Sequence, residues 1–331
     1  MAKRTQQARK PLSGKVALVS GATRGAGRGI ARALGEAGAI VYCTGRSTRG
    51  NPSPYARPET IEETSEMIER DGGHASAVRV DHTDESAVQA LVSRIDREHG
   101  RLDVLVNCVA GEDPMMRQWG SFWTTDLANG EAVFRQAILS HIITAKHAAP
   151  LMIRARRGLI VEVTEGDVLS AGGNPLTQTV KLALKGHALH MAAELHQHGV
   201  AAIAIVPGFL RSESMLEHFG VTEANWRDGG TKDPNFLVSE SPLYVGRAVA
   251  ALAADPNVLA RNGQLCSSWE LARAYGFTDA DGTQPDWGTH AIDWSAFPPA
   301  FIQMFRDGTM QQIAWLKGVS ARTDAFLRKI P

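Results

Sequence analysis

The sequence predicts one α/β domain built on a doubly wound parallel sheet of about seven strands. From Lys15 onward, short apolar runs rich in β-branched residues alternate with helical stretches. The runs are apolar at almost every position, which is typical of parallel strands buried on both faces. A glycine-rich segment at residues 21–27 separates the first run from the first helix. Strict β-α-β alternation of this kind favours a doubly wound sheet with helices on both faces.

The elements follow one another along the chain without an internal repeat. Strands are expected at residues 15–20, 39–44, 75–80, 104–107, 159–164, 200–206 and 264–267. Helices are expected at residues 27–37, 59–70, 85–99, 131–155, 176–198 and 242–254.

Three flanking or inserted parts complete the predicted organisation. Residues 1–11 are basic and polar, and we expect a disordered tail there. Residues 12–276 form the domain itself. Within it, residues 211–241 are rich in Gly and Asp and predict a mobile flap over a site. Residues 277–331 form a C-terminal extension with helical apolar spacing in its last part, expected to pack on the domain or on a neighbouring subunit, or to contribute to a substrate pocket.

Composition excludes several classes of function. The 331 residues carry 35 basic and 35 acidic side chains. The net charge therefore provides no electrostatic attraction to nucleic acid or to a membrane surface. We find no apolar run long enough to span a membrane and no signal peptide, and we expect a cytoplasmic protein. Three cysteines without a CxxC pattern, and histidines without a ligand pattern, predict neither a disulfide framework nor a metal site. The histidines, His141 and His187 among them, are expected at the surface or at an interface.

The glycine-rich segment has the properties of a phosphate cradle. Gly21, Gly25 and Gly27 lie between the first strand and the first helix, with Thr23 and Arg24 between them. Glycines let the backbone turn sharply and approach a pyrophosphate closely. The helix start then offers free N–H groups and the positive end of the helix dipole.

These motifs resemble the short-chain dehydrogenase/reductase family. The spacing Gly-x-x-x-Gly-x-Gly is similar to its fingerprint, Asp81 ends the third strand, the stretch from Asn107 to Gly111 looks like its Asn-Asn-Ala-Gly, and Pro207-Gly208 looks like its turn under the nicotinamide. The resemblance covers roughly residues 12 to 275 and implies a Rossmann-type fold that binds a nicotinamide dinucleotide. It implies cofactor contacts from Gly21, Thr23, Arg24, Gly25, Ala26, Gly27, Arg46, Ser47, Asp81, His82, Asn107, Lys181, Pro207, Gly208 and Leu210.

Charge after the second strand predicts the choice of cofactor. NAD-binding domains usually place an acidic residue there to accept hydrogen bonds from the ribose hydroxyls. This chain has Arg46 and Ser47 instead, and Arg24 lies in the glycine-rich segment. Guanidinium groups match phosphate geometry, so the sequence predicts NADP(H).

The catalytic positions depart from the family that the chain resembles. That family uses a tyrosine as acid or base, a lysine four residues later, a serine and an asparagine. Lys181 matches the lysine, but Thr177 stands at the tyrosine position and Thr164-Glu165 at the serine position. The asparagine falls on or near Ala137. A threonine hydroxyl is too weak an acid to replace a tyrosine.

Glu165 is the candidate general acid or base among these positions. A partly desolvated carboxyl at the sheet edge would serve as acid or base; the alternatives are an ion pair with Lys181 and a solvated loop position. Three functions stay open: an NADP(H)-dependent carbonyl reductase or alcohol dehydrogenase with an altered proton donor; a cyclase, isomerase or dehydratase on the same scaffold; and a non-catalytic NADP(H)-binding protein. The aromatic residues of the flap and extension favour an apolar or aromatic small molecule, and the resemblance implies a homodimer or homotetramer.

Overall fold

The computed structural model describes residues 10–110, 122–124, 127–166 and 175–290. Residues 1–9 of the predicted tail and the extension after residue 290 lie outside the described residues. No helix in the described part of the chain is long and apolar enough to cross a membrane.

All seven predicted strands form a single parallel sheet. Its order is β3-β2-β1-β4-β5-β6-β7, so the chain winds outward in both directions from β1. In register, Leu18 lies opposite Tyr42 on one side and Leu105 on the other. The strands are β1 Val16–Ser20, β2 Ile40–Gly45, β3 His74–Arg79, β4 Val104–Asn107, β5 Gly158–Val163, β6 Val200–Val206 and β7 Leu265–Ser267.

The predicted helices are present and connect these strands in the predicted order. The helices are α1 Gly25–Glu36, α2 Ile61–Arg70, α3 Glu85–His99, α4 Leu127–Phe134, α5 Ser140–Ala155, α6 Pro175–Leu195, α7 Glu213–Phe219, α8 Pro242–Ala254 and α9 Ser268–Tyr275. Of these, α7, in the flap, and α9, after the last strand, were not predicted. Short 3-10 helices occupy Phe122–Thr124, His196–His198, Trp226–Thr231, Pro234–Val238, Val258–Arg261 and Trp287–Thr289.

Helices cover both faces of the sheet, which confirms the doubly wound architecture. Alternate strand residues point to opposite faces. On one face, Ala17 and Val19 pack with apolar residues of α1, α2 and α8, such as Ile30. On the other face, Val16 and Leu18 pack with apolar residues of α3, α5 and α6. The two cores leave the carboxyl edge of the sheet free to carry a site.

The long helix predicted at residues 131–155 is interrupted. α4 and α5 are joined by a turn of π-helix, Arg135–Leu139, within one continuous helical path. Such a turn carries an extra residue and often accompanies a functional site. The π-helical turn is defined by backbone hydrogen bonds, and the apolar periodicity of the sequence does not reveal these.

The predicted flap is folded around an aromatic cluster. Phe219 stacks on Phe236 with ring centroids 4.1 Å apart, and Trp226 packs edge-on against Phe236. Beneath them, the buried Arg211 places its guanidinium 4.0 Å from the Trp226 ring and 3.2 Å from Asp279 Oδ2. Arg211 therefore fastens the segment to the chain beyond α9. Motion of this segment stays a prediction.

Candidate active site

A cleft of about 1170 Å³ opens along the carboxyl edge of the sheet. It is lined by the residues that follow β1, β2, β4, β5 and β6, and by parts of α6 and α7. In a doubly wound sheet, ligands bind in this place because loops from neighbouring strands diverge there. Most of the sequence-predicted residues meet in this cleft: Gly21, Thr23, Arg24, Gly25, Ala26, Gly27, Arg46, Ser47, Asp81, His82, Thr164, Glu165, Lys181, Pro207, Gly208 and Leu210.

The glycine-rich turn leaves no room for side chains. Gly21 has φ +78°, and a Cβ added there would lie 2.5 Å from the Cys108 carbonyl oxygen. A Cβ on Gly27 would lie 2.1 Å from the Gly21 carbonyl oxygen. Glycine is therefore required at both positions, because the backbone segments approach each other too closely for a side chain. The result is a helix start whose N–H groups face the cleft.

An anionic group already sits at that helix start. The Gly25 N–H donates to Glu213 Oε2 at 2.7 Å. The carboxylate comes from α7, on the opposite wall of the cleft. This contact shows that the start of α1 accepts an anion from the cleft side, as a pyrophosphate site must.

The end of the cleft beside β2 carries the predicted basic residues. Arg46 is about one-third exposed, and its Nη1 lies 3.9 Å from Asp81 Oδ2. Burial works against ionisation of Asp81, but hydrogen bonds from Thr83 and the Arg46 charge outweigh it and lower the Asp81 pKa. The Arg46 guanidinium is thus held only loosely by Asp81 and can turn to a ligand phosphate.

His82 borders the cleft but uses its ring elsewhere. Its Nε2 and Nδ1 each lie 2.8 Å from a threonine hydroxyl, Thr44 Oγ1 and Thr144 Oγ1. Burial, with a smaller contribution from His141, lowers the pKa of His82 to about 3, so the ring is neutral. Both ring nitrogens are occupied, and the side chain ties β2 to α5.

Asn107 belongs to a buried network behind the cleft and does not line it. Its Nδ2 donates to Glu162 Oε1 at 2.9 Å and to the His141 carbonyl at 3.3 Å, while Ser20 Oγ donates to its Oδ1 at 3.2 Å. Asn107 therefore joins β1, β4, β5 and α5. Its contact with a dinucleotide stays a prediction.

Glu162 is the centre of that network, and the sequence pattern did not single it out. Its Oε2 lies 2.5 Å from His141 Nδ1, and its Oε1 lies 3.3 Å from His187 Nδ1. Burial alone would raise its pKa, but His141 and then His187 hold the pKa of Glu162 at about 2. The expectation that His141 lies at the surface or at an interface is wrong: its side chain is 1 % exposed and contacts a buried carboxylate.

The catalytic candidates separate into two groups. Lys181 Nζ lies 2.5 Å from Glu165 Oε2, and both side chains line the cleft. Thr164 also lines it, but its hydroxyl donates to the Lys181 carbonyl at 3.3 Å. Thr177 is 5 % exposed and is not among the lining residues. The structure thus brings Glu165 and Lys181 together as an ion pair in which Glu165 is 58 % exposed, so the partly desolvated carboxyl is not what it shows. Thr177 stays in the packing of α6.

Apolar residues line part of the same cleft, and one of them comes from the extension. Phe209, Leu210, Met215 and Trp287 line the cleft. Trp287 packs edge-on against Phe209 with centroids 5.8 Å apart. Trp287 belongs to the extension, for which a contribution to a substrate pocket is one of the expectations; its place beside Gly208 is given by the structure and not by the local sequence.

The comparisons with known proteins agree with this geometry. Residues 15–220 match the family model for short chain dehydrogenases. That match covers more than half of the chain and includes the glycine-rich turn, Glu165 and Lys181.

The chain belongs to the short-chain dehydrogenase/reductase family.

Two kinds of relatives within this family are similar in sequence. Dehydrogenase/reductase SDR family member 1 of Mus musculus is 36% identical over 277 residues, which cover 82% of this chain and 85% of the relative. Oxidoreductase UcpA of Salmonella typhimurium is 29% identical, over 74% of this chain and 89% of the relative.

Solved structures share the short-chain dehydrogenase/reductase fold. A hydroxysteroid dehydrogenase from Escherichia coli has a TM-score of 0.61 at 22% identity and covers 77% of this chain and 95% of its own. A protein from Agrobacterium tumefaciens, provisionally named a 2-deoxy-D-gluconate 3-dehydrogenase and containing NADP, has a TM-score of 0.62 at 22% identity, over 79% of this chain and 97% of its own.

The short-chain dehydrogenase/reductase family binds a nicotinamide cofactor, and the residues present here fit one. The glycine-rich turn admits no Cβ at Gly21 or Gly27, and the start of α1 takes an anion from the cleft side. Lys181 lies in the same cleft, where its ammonium can meet a ribose hydroxyl.

Proposed function

We propose that the protein is an NADP(H)-dependent oxidoreductase that interconverts a carbonyl compound and its alcohol, with Glu165 and Lys181 in place of the family's tyrosine-centred proton donor. The observation that carries this proposal is one continuous cleft. The anion-accepting start of α1, the basic end at Arg46 and the Glu165–Lys181 pair all line it.

Selection of NADP(H) rests on the residues after β2. Arg46 and Ser47 follow the strand directly, and Arg24 lines the same cleft. None of the residues from Thr44 to Thr48 is acidic, so ribose hydroxyls find no carboxylate acceptor on this turn. A 2′-phosphate instead finds guanidinium and hydroxyl donors, which suit its geometry and charge.

Proton transfer is assigned to the Glu165–Lys181 pair. When bound, the cofactor supplies or accepts the hydride. Reduction also needs one proton on the carbonyl oxygen, and Lys181 Nζ is the N–H donor that faces the cleft beside a carboxylate. Lys181 hands that proton to the forming alcohol oxygen, and the half-exposed Glu165 returns one to Nζ from solvent. Oxidation runs the same transfers backwards.

Thr164 and Thr177 have supporting parts in this proposal. The Thr164 hydroxyl donates to the backbone of α6 at Lys181, which fixes the first turns of the helix against β5. Thr177 is buried one turn before Lys181 and helps to hold the helix there. Neither hydroxyl is acidic enough to supply the proton.

The proposed substrate class rests on the apolar residues that line the cleft. Phe209, Met215 and Trp287 give it an apolar and aromatic surface. Pockets of this character bind ligands with apolar bodies and few polar groups. We propose an aromatic or other apolar ketone or aldehyde as substrate.

A non-redox reaction is the second candidate, because a carboxylate beside a lysine is also an acid–base pair for dehydration or isomerisation. Incubation of the protein with NADPH and a panel of aromatic ketones and aldehydes separates the two. We expect one alcohol formed per NADPH consumed, and loss of this activity in Lys181→Met. Conversion of a substrate without consumption of NADPH would support the second candidate and overturn the first.

We also propose that the protein forms a homodimer or homotetramer. Leu139 and Ile142, near the start of α5, and Leu189 of α6 are exposed by 38%, 40% and 58%. Exposed apolar side chains on neighbouring helices favour self-association. Sedimentation of Leu189→Glu beside the unmodified protein tests this: a smaller particle for the variant is expected, and a monomer in both would contradict it.

A further inference from the structure

Helix α7 crosses the cleft and places a carboxylate where a pyrophosphate should bind. Glu213 Oε2 accepts from the Gly25 N–H at 2.7 Å, and Oε1 lies 3.4 Å from Arg28 Nη1. Gly25 is the first residue of α1 and the second glycine of the fingerprint. Each oxygen of this carboxylate therefore meets a group that favours an anion, the helix start and a guanidinium.

The Glu213 contact is not needed to build α7 itself. Ser212 caps that helix, because its Oγ accepts from the Met215 N–H at 3.4 Å. Nor does Glu213 hold Arg28 in place. The Arg28 guanidinium is buried and fixed by Glu63 Oε2 at 2.6 Å and by Thr64 Oγ1 at 3.1 Å. Arg28 thus stays beside the start of α1 whether or not Glu213 is there.

A second acidic residue ties α7 to the other wall of the cleft. Glu217, one turn after Glu213, forms an ion pair with Arg57. Arg57 lines the cleft and is also held by Glu59. α7 is consequently fastened across the cleft by two carboxylates, one on the α1 side and one on the side of the segment after β2.

We propose that Glu213 is an internal competitor of the cofactor's pyrophosphate and sets the affinity of the protein for NADP(H). This rests on the proposed function. The Gly25 N–H cannot serve the carboxylate and a phosphate oxygen together, and two anions at one helix start repel each other. Entry of the dinucleotide therefore displaces Glu213 and moves α7 away from α1.

The charge of Glu213 is what the test removes. Glu213→Gln keeps the size of the side chain, and Glu69→Gln makes the same charge change on an exposed residue of α2 that does not line the cleft. Calorimetric titration with NADPH should show about tenfold or greater tightening for Glu213→Gln, as expected for loss of a competing charged hydrogen bond, and no change for Glu69→Gln. Inorganic pyrophosphate should also bind more tightly to Glu213→Gln and with unchanged affinity to Glu69→Gln.

Amide exchange of Gly25 gives a readout that needs no cofactor. In the unliganded protein, exchange of this N–H should be faster in Glu213→Gln than in Glu69→Gln, because its acceptor is weakened. Glu217→Gln gives a second variant should Glu213→Gln fold poorly; freeing one end of α7 should raise the association rate of NADPH.

The outcomes separate this inference from the proposed function. Equal NADPH affinities in Glu213→Gln and the unmodified protein, with unchanged Gly25 exchange, would overturn the role of Glu213. Absence of NADPH binding in both would overturn the proposed function instead, and the pyrophosphate titration and Gly25 exchange would then decide whether Glu213 occupies an anion site.

Discussion

Lys181 Nζ and Glu165 Oε2 lie 2.5 Å apart in the cleft, whereas Thr177, one helical turn before Lys181, is buried outside it. We propose that acid–base chemistry at this end of the cleft falls to the ion pair. Glu165→Gln should lower kcat by about 10²-fold, because general acid–base catalysis contributes roughly 10²–10⁴ to the rate. NADPH affinity should change little, since Glu165 carries no predicted cofactor contact. Steady-state kinetics with a saturating cofactor measure this.

Thr177→Val is the matched control for the same helix. It should leave kcat within about threefold of the unmodified protein, because general acid help is not lost with it, and lower the free energy of unfolding by about 1 kcal/mol through a lost buried hydroxyl interaction. A large fall in kcat for Thr177→Val, with Glu165→Gln unaffected, would transfer the proton chemistry to the threonine.

The glycine-rich turn gives a prediction about stability and binding together. In Gly27→Ala the new Cβ would lie 2.1 Å from the Gly21 carbonyl oxygen. We expect the free energy of unfolding to fall by about 2 kcal/mol through overpacking, and NADPH binding to be lost as the turn opens. Gly186→Ala in α6 is the control: nothing lies within 4 Å of the new Cβ. It should gain about 0.5–1 kcal/mol of stability, the ordinary preference of a helix for alanine. Urea unfolding checks both.

Glu240 predicts that stability falls as the pH rises from mildly acidic to neutral and above. Its Oε2 accepts from the Gly208 N–H at 2.9 Å and from the Ser268 hydroxyl, and its Oε1 has no hydrogen-bond partner among the described residues. Burial, and to a smaller extent Asp279, raise the pKa of Glu240 to about 8. In the folded protein Glu240 therefore keeps its proton up to about pH 8, whereas in the unfolded chain it loses the proton near the ordinary pKa of a glutamate. Stability should fall as the pH rises from about 5 toward 8, by about 1 kcal/mol per unit.

Glu240→Gln removes that dependence because an amide does not titrate. Chemical unfolding of both proteins across this pH range should show a flatter curve for the variant, and it should be the more stable protein at pH about 8. Parallel curves would mean that Glu240 is ionised in the folded protein throughout.

The buried pair of His141 and Glu162 predicts non-additive variants. His141→Ala leaves the Glu162 carboxylate with a weaker set of partners, and we expect a loss of about 3–5 kcal/mol in the free energy of unfolding. The double variant His141→Met, Glu162→Leu should recover most of that loss, because it removes the buried charge together with its partner. Additive losses in the single and double variants would contradict the pairing.

Local sequence signals predicted the sheet and the phosphate end of the cleft. Apolar runs fixed the seven strands, and the glycine spacing placed Gly21 and Gly27 because close backbone approach permits no other residue. Arg46 could be placed beside them because it directly follows β2. Each of these signals lies within a few residues of the element that it describes.

Contacts between distant segments could not be read in this way. Glu162 and His141 lie on different elements, and each alone resembles an ordinary polar residue in an apolar stretch. Glu213 reaches the start of α1 across 188 positions of sequence. Trp287 enters the cleft from beyond the last strand. Thr177 was assigned by its offset from Lys181, but an offset does not say how deeply a side chain is buried.

Binding of NADPH and NADH by the purified protein tests the cofactor assignment most directly, with Arg46→Ala beside it. We predict that NADPH binds at least about tenfold more tightly than NADH, and that Arg46→Ala removes this preference by weakening NADPH binding alone, since a guanidinium–phosphate contact is lost. Equal affinities for the two nucleotides in the unmodified protein, or no binding of either, would contradict the assignment of this cleft to NADP(H).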